Sequence, residues 1–528
     1  MTNATTRTDR LRARIETIDG DLEPGDLFHR LTDGGNRPGS ILLESGEIAP
    51  TYAERSIGVF RPSLSAAGKD GAFRVDALDR RGECLLEAVS RRLPREAVVT
   101  DRSRRRIEGR LDTVLGQVCF DARLSSASHA GILRALLLDF EAPESEPPVP
   151  FGLFGCFAYD FVRQFEDVPR PRADVLGDPD YVFYLATRFF LTDHARRRTR
   201  LVSVIPGEGF EAEAEEDLAR MTEAANDRSP LPAEECRAGE FRSDTSEGEF
   251  HEGVRFLKRA VAEGRVFQTV YGRMLDAEFH GSPFAAYRRL ERCNPSPYLF
   301  YLRDERGALL GASPELAVRV SHDGDRRLVE LRPIAGTKPR GLVDGSVDPA
   351  LDERYETALR SDAKELAEHT MLIDLARNDV ASVSETGTTR LVRGFAVEKY
   401  SLVQHLVSTV RGTLRDGIDS LGAYLATMNM GTLTGAPKPE AMKLVSEVEK
   451  SARGFFGGGV GFLTAGGEME TAIVIRAMRI LDDRVYVRAG AGIVADSIPG
   501  HEWTETERKA RSCIQALGPH TGAEGGDR

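Results

Sequence analysis

Apolar positions along the chain recur in two rhythms. Phe250, Val254, Leu257 and Val261 fall on one helical stripe. Ser246 and Glu249, just ahead of it, have the spacing of a capping box. Gly264 supplies a stop, and Val266–Val270 then reads as a strand. Tyr298–Leu302 and Leu309–Ala312 flank the polar tip Arg303–Gly307, the pattern of a hairpin. Tyr181–Leu185, Leu201–Ile205 and Val485–Arg488 are further short strands, and long helical stretches lie near 352–379, 436–450 and 503–516. Strands at hairpin spacing mixed with helices predict an α+β fold. No repeat of solenoid type is visible.

The same pattern divides the chain. Residues 1–20 form a polar lead, and 21–206 are mixed in character. From 207 to 246 Glu, Ala and Asp dominate until Ser229-Pro-Leu-Pro232 breaks the run, which reads as a helix followed by a linker. Residues 247–517 carry the densest motifs, and 518–528 are a tail.

Composition narrows the function. The 528 residues are 41% hydrophobic and 29% charged, with a net charge of −12. That balance gives no footprint for nucleic acid or an anionic membrane, so neither partner is expected. Six scattered cysteines without a CxxC pair fit free thiols in a reducing cytosol. The lead lacks the apolar core of a secretory signal, and no run reaches the ~18 apolar residues of a membrane span. A cytoplasmic protein is the expectation.

Two carboxylate pairs stand out. Glu365 and Glu368 are three residues apart, as are Glu502 and Glu505, so each pair shares a helix face. Solvated helix surfaces usually explain such pairs. Brought together, they would form an all-oxygen site suited to Mg²⁺. Gly490 and Gly492 follow a strand, and Gly457-Gly458-Gly459 are glycine-dense; both let a backbone approach an anion, or simply turn. Gly490, Gly492 and Ala495 also match a dinucleotide fingerprint, but Asp496-Ser-Ile-Pro499 follows where that fold needs a helix. His501-Glu-Trp-Thr-Glu505 lacks the second histidine of a zinc protease. Arg476 ends the run Ile473-Val-Ile475 and needs an anion there, either a structural partner or a substrate carboxylate. His405 lies in an apolar stretch, as a core histidine or as a proton donor.

In this order the segments resemble the chorismate-utilising enzymes. The markers are Arg332-Pro-Ile-Ala-Gly-Thr337, Ile373-Asp-Leu-Ala-Arg-Asn-Asp379, Gly431-Thr-Leu-Thr-Gly-Ala-Pro-Lys438, Ile473-Val-Ile-Arg476 and Ala489-Gly-Ala-Gly-Ile-Val494. The resemblance implies a large sandwich of antiparallel sheets flanked by helices. Within the family the chain is most similar to the anthranilate synthases. Ala335 stands where aminodeoxychorismate synthases carry a covalent lysine, and Phe267-Gln268 where isochorismate and salicylate synthases place a water-activating lysine. Leu42-Leu-Glu-Ser45 and Asn294-Pro-Ser-Pro-Tyr-Leu-Phe300 resemble the two walls of the tryptophan-feedback pocket.

The resemblance also implies roles. Glu368 and Glu505 hold Mg²⁺, with Glu365 and Glu502 beside it or bridged by water. Gly336 and Thr337 line the ring pocket of chorismate. Arg476 and the backbone at Gly490 and Gly492 hold the enolpyruvyl carboxylate. Ammonia is the nucleophile, His405 the acid for the departing C4 hydroxyl, and Thr337 and Gln268 complete the catalytic set. Glu44, Ser45, Pro297, Tyr298 and Leu299 bind tryptophan as an inhibitor in tryptophan biosynthesis. Departures include Phe456 for a substrate-binding tyrosine, Ala472 for cysteine, Glu470 for aspartate and Leu299 for methionine. An enzyme stopping at 2-amino-2-deoxyisochorismate shares nearly every motif, and a silent tryptophan-binding regulator is a further alternative. None of the six cysteines lies in the Gly-x-Cys-x-Gly nucleophile motif of a glutaminase. A separate glutamine amidotransferase subunit is therefore expected to supply ammonia.

Overall fold

A computed structural model describes residues 11–46, 55–111, 128–138, 149–344, 346–400 and 402–518. Two large antiparallel sheets organise it, and each draws strands from both ends of the chain. In the first sheet, Ser40–Glu44 lies beside Tyr298–Arg303, with Leu42 opposite Tyr301. That sheet continues through Gly307–Ser313, Ala477–Leu481 and Arg484–Ile493 to Gln268–Gly281. In the second, Gly152–Phe157 pairs with Gly459–Thr464. Its far edge is built from Arg326–Leu331, Val403–Thr413, Ile334–Pro339 and Arg390–Lys399. Regions 21–206 and 247–517 thus share one framework.

The main core lies between the sheets, where Ile41, Val59 and Phe300 meet Ala66, Phe154 and Val460. A second core, including Leu42, Leu299, Tyr301 and Val487, covers the other face of the first sheet beneath the helices Pro283–Cys293 and Pro499–Ala516. Successive residues of Tyr298–Arg303 therefore enter different cores. This explains its continuous apolar run, since side chains alternate across a strand.

The capping box forms as expected, and the helix it opens spans Glu247–Ala262. The hairpin pairs Tyr298 with Ser313 through Arg303 with Ala308. Elsewhere the structure corrects the sequence reading. Part of the polar lead, Arg12–Asp19, is an edge strand on Arg198–Ile205. Its outward Arg12, Arg14 and Glu16 alternate with Ala13 and Ile15, so an edge that turns one face to water hides as polar sequence. Residues 1–10 and 519–528 lie outside the described residues. The linker contains two short strands, Cys236–Ala238 and Arg242–Ser243, that pair with Gln268–Gly281. That long strand begins at Gln268 rather than Val266. The stretch 352–379 is two helices, Pro349–Ser361 and Ala363–Val383, because Asp362 caps the second through the N–H groups of Lys364 and Glu365. The last helix starts at Pro499, whose fixed φ suits a first turn. Five cysteines are free, and Cys119 lies outside the described residues. Among the described residues no helix is long and apolar enough to cross a membrane.

Candidate active site

The two carboxylate helices, Ala363–Val383 and Pro499–Ala516, present their glutamates to each other. Burial raises the Glu368 carboxyl above its ordinary range; Lys509 opposes that rise and Glu505 adds to it. Glu365 is raised by burial and then by Glu368. Glu502 is raised by burial, with Ser497 opposing and Glu505 adding. Like charges this close favour protonation unless a cation joins them. Lys509 supplies one positive charge: its Nζ lies 2.6 Å from Glu505 Oε1 and donates to Gly490 O at 2.9 Å.

Strands Gln268–Gly281 and Arg484–Ile493 lie side by side near the carboxylates. Gln268 is buried and its amide hydrogen-bonds Glu368. Its Oε1 is buried with no hydrogen-bond partner among the described residues. A Cβ on Gly492 would lie 2.8 Å from Gln268 Nε2 and 3.9 Å from Glu368 Oε1, so only glycine leaves this space open. Gly336 has φ +67, at a register shift in its strand, and a Cβ there would lie 3.1 Å from Glu365 Oε2. The shift turns the Gly336 carbonyl toward His405 Nδ1, at 3.3 Å, while Thr337 Oγ1 lies 2.9 Å from the same nitrogen. A carbonyl only accepts, so Nδ1 carries the hydrogen and Nε2 is left as an acceptor. Burial, aided by Arg476, lowers the His405 pKa to about 4. At that value the ring is neutral at pH 7.

Two residues of the site escaped the sequence reading. Glu315 is 6% exposed, and burial pushes its carboxyl up to about 8 against the lowering effects of Thr432, the Ile334 N–H and Lys509. It holds a proton at neutral pH. Its signal was a lone acid in the apolar run Leu309–Val318. Lys509 sits four residues after Glu505, a helix neighbour.

Arg476 adopts φ +52 and donates Nη1 to Lys509 O at 2.9 Å. Burial lowers its pKa, and among the described residues no carboxylate forms an ion pair with it. A desolvated guanidinium of this kind suits an incoming anion. Phe456 lines a small cavity with Arg453, Phe455, Arg479 and Arg488.

The expected metal residues form an open constellation. Among the described residues, the acidic trio whose ligand atoms lie within 4.8 Å of one another is Glu23, Glu44 and Glu291, not the quartet. An open arrangement still fits Mg²⁺, which keeps several waters and takes few protein carboxylates beside an anionic ligand.

A separate cavity of about 430 Å³ brings Glu44, Ser45, Pro297, Tyr298 and Leu299 together. Ser45 Oγ donates to Pro297 O at 3.0 Å. Burial, then Glu291, pushes Glu44 up to about 8, while the Tyr287 hydroxyl donates to it. Arg319 and Glu470, 2.8 Å apart, close the polar side.

Facing carboxylates, an arginine free for an anion and a protonated glutamate define an enzyme site for a small multiply charged acid. The family described as chorismate binding enzyme matches residues 103–515. The anthranilate synthase component 1 of Vibrio cholerae is 40% identical, over 97% of this chain and 98% of that protein. That of Escherichia coli is 40% identical over 94% of each. The crystal structure of anthranilate synthase component I from Streptococcus pneumoniae superposes with a TM-score of 0.68 at 28% identity, covering 88% of this chain and 92% of that one. The menaquinone-specific isochorismate synthase of Escherichia coli, at 17% identity and a TM-score of 0.65, shares the fold over 96% and 95%. The chain belongs to the chorismate-binding enzymes, within the group of anthranilate synthase component 1 proteins.

Proposed function

We propose that the chain is the synthase subunit that converts chorismate and ammonia to anthranilate and pyruvate with Mg²⁺. The observation that carries this reading is the facing of Glu368 and Glu505 in one site with Arg476, which among the described residues forms no ion pair with a carboxylate. Glu368 and Glu505 would hold Mg²⁺, with Glu365 and Glu502 beside it or through water. When bound, the ion offsets the charge of the ring carboxylate. Arg476 and the backbone at Gly490 and Gly492 hold the enolpyruvyl carboxylate, while Gly336 and Thr337 line the ring pocket. Gln268 Oε1, a buried acceptor without a hydrogen-bond partner among the described residues, orients ammonia toward C2. Hydroxide is a poor leaving group, and Glu315 gives its proton to the departing C4 oxygen. His405, neutral and with Nε2 free, takes the C2 proton as pyruvate leaves. The divergent pKa values of Glu315 and His405 support this division into acid and base.

The test is to incubate the chain with chorismate, Mg²⁺ and ammonium and to identify the product. Anthranilate plus pyruvate is expected. An amino acid that keeps its enolpyruvyl ether would replace this reading with the aminodeoxyisochorismate one. No glutaminase motif is visible, so ammonia in the cell comes from a separate glutamine amidotransferase subunit. The isolated chain is expected to use ammonium and not glutamine; glutamine-driven turnover by it alone would rule out the partner.

The cavity at Glu44 and Ser45 is proposed to bind tryptophan as an inhibitor. Its volume suits one amino acid, and Tyr298 and Leu299 offer apolar surface beside a polar end. Ser45→Phe is expected to fill the cavity, abolishing tryptophan inhibition while turnover stays near the parent value. Inhibition curves with and without the substitution check this, and retained inhibition counts against it.

A further inference from the structure

The strand Val403–Thr413, which carries His405, is tied to the helix of Glu365 and Glu368 through Ser408. The Ser408 hydroxyl oxygen accepts the Phe395 N–H at 2.9 Å and lies 2.7 Å from His369 Nε2. Its backbone N–H donates to Pro333 O at 3.2 Å, three residues before Gly336. Phe395 has φ +50, where the strand Arg390–Lys399 slips register between Arg393 and Ala396. Such a bulge strips an N–H of its ladder partner, and Ser408 takes it up. With that N–H accepted on one lone pair, the hydroxyl keeps its hydrogen and a second lone pair for His369 Nε2, and the histidine tautomer sets which atom donates. His369 and Ser408 are both fully buried, and the His369 ring packs edge-on to Phe395 at 5.3 Å.

His369 directly follows Glu368. We infer that His369 is a positioning residue: its bond to Ser408 fixes the rotation and depth of the carboxylate helix against the strand of His405. Glu368 is thereby held facing Glu505, and the span from the carboxylates to His405 is set. This rests on the metal role proposed for Glu368 and Glu505. A neighbour that orients a ligand without touching the ion changes affinity or rate by about 10–100-fold.

The experiment measures Mn²⁺ binding directly, together with thermal melting and turnover at saturating Mg²⁺. His369→Leu and Ser408→Ala are each expected to weaken Mn²⁺ binding by about 10–100-fold. The double variant should be no worse than the weaker single one. His369→Gln, whose amide can donate or accept near the Nε2 position, should recover most of the affinity. Parental Mn²⁺ affinity in folded His369→Leu overturns the inference. So do losses that merely follow the melting temperature and are not recovered by glutamine. If His369→Leu does not fold, Ser408→Ala decides, because it removes a single hydroxyl. A parent chain that binds Mn²⁺ but makes no anthranilate refutes the proposed reaction and leaves this test standing. A parent that binds no Mn²⁺ removes both the metal assignment and the inference.

Discussion

Glu315→Gln is expected to lower kcat by about 10²–10⁴-fold, the range for loss of a general acid, and to abolish the alkaline limb of the pH profile. Glutamine keeps the size of the side chain and its contact with Thr432 but has no acidic proton. In the parent, the buried carboxyl keeps its proton until about pH 8. kcat/KM, measured at constant free ammonia, should therefore fall as pH rises through that value. Stability follows the same group. Its folded pKa lies above the ordinary 4.5, so between 4.5 and about 8 the folded chain holds a proton that the unfolded chain has lost. Stability then declines as pH rises across that window, and the full penalty is present above it. The glutamine variant escapes the decline and should melt above the parent in alkaline buffer. A variant with the parental rate at neutral pH removes Glu315 from the chemistry.

Local structure was legible wherever a pattern decides it by itself. The Ser246–Glu249 box, the hairpin at 303–307 and the strand Tyr181–Leu185 all depend on neighbours in sequence. The order of strands was not legible, because Leu42 beside Tyr301 is a pairing across nearly half of the chain. The edge strand Arg12–Asp19 was concealed by its charged outer face. The carboxylate pairs were visible as spacing, but their meeting came from resemblance, since spacing puts two groups on one helix and says nothing about which helices converge. Glu315 shows the deeper limit. Its role depends on burial and on the distance to Lys509, properties of the folded chain that no periodicity encodes. His405 was found, yet its protonation state follows from desolvation, which lowers its pKa against the opposing hydrogen bond to the Gly336 carbonyl, and no sequence pattern encodes that balance.

Glu505→Gln is expected to reduce kcat/KM at limiting Mg²⁺ by a hundredfold or more, while the fold survives. Charge stabilisation by a bound divalent ion is worth several kcal/mol, and each ~1.4 kcal/mol is tenfold in rate, so losing part of it has an effect of this order. The fold should tolerate the change. Glu505 is 44% exposed and Lys509 36%, and a pair so open to solvent contributes about 0–1 kcal/mol. Removing one of several crowded negative charges also relieves Glu368 and Glu502, both of which are raised by it. Their pKa values should fall in the variant, which helps them stay ionised but leaves one oxygen ligand fewer. Freed from Glu505, Lys509 stays anchored on the Gly490 carbonyl and turns more of its charge toward Glu368, competing further with the cation. Raising Mg²⁺ should therefore recover part of the lost rate, whereas more chorismate at limiting metal should not. A Mg²⁺ titration of turnover, set beside thermal melting of both proteins, separates metal loss from unfolding. Unchanged half-saturation by Mg²⁺ in a folded Glu505→Gln chain would exclude Glu505 as a ligand.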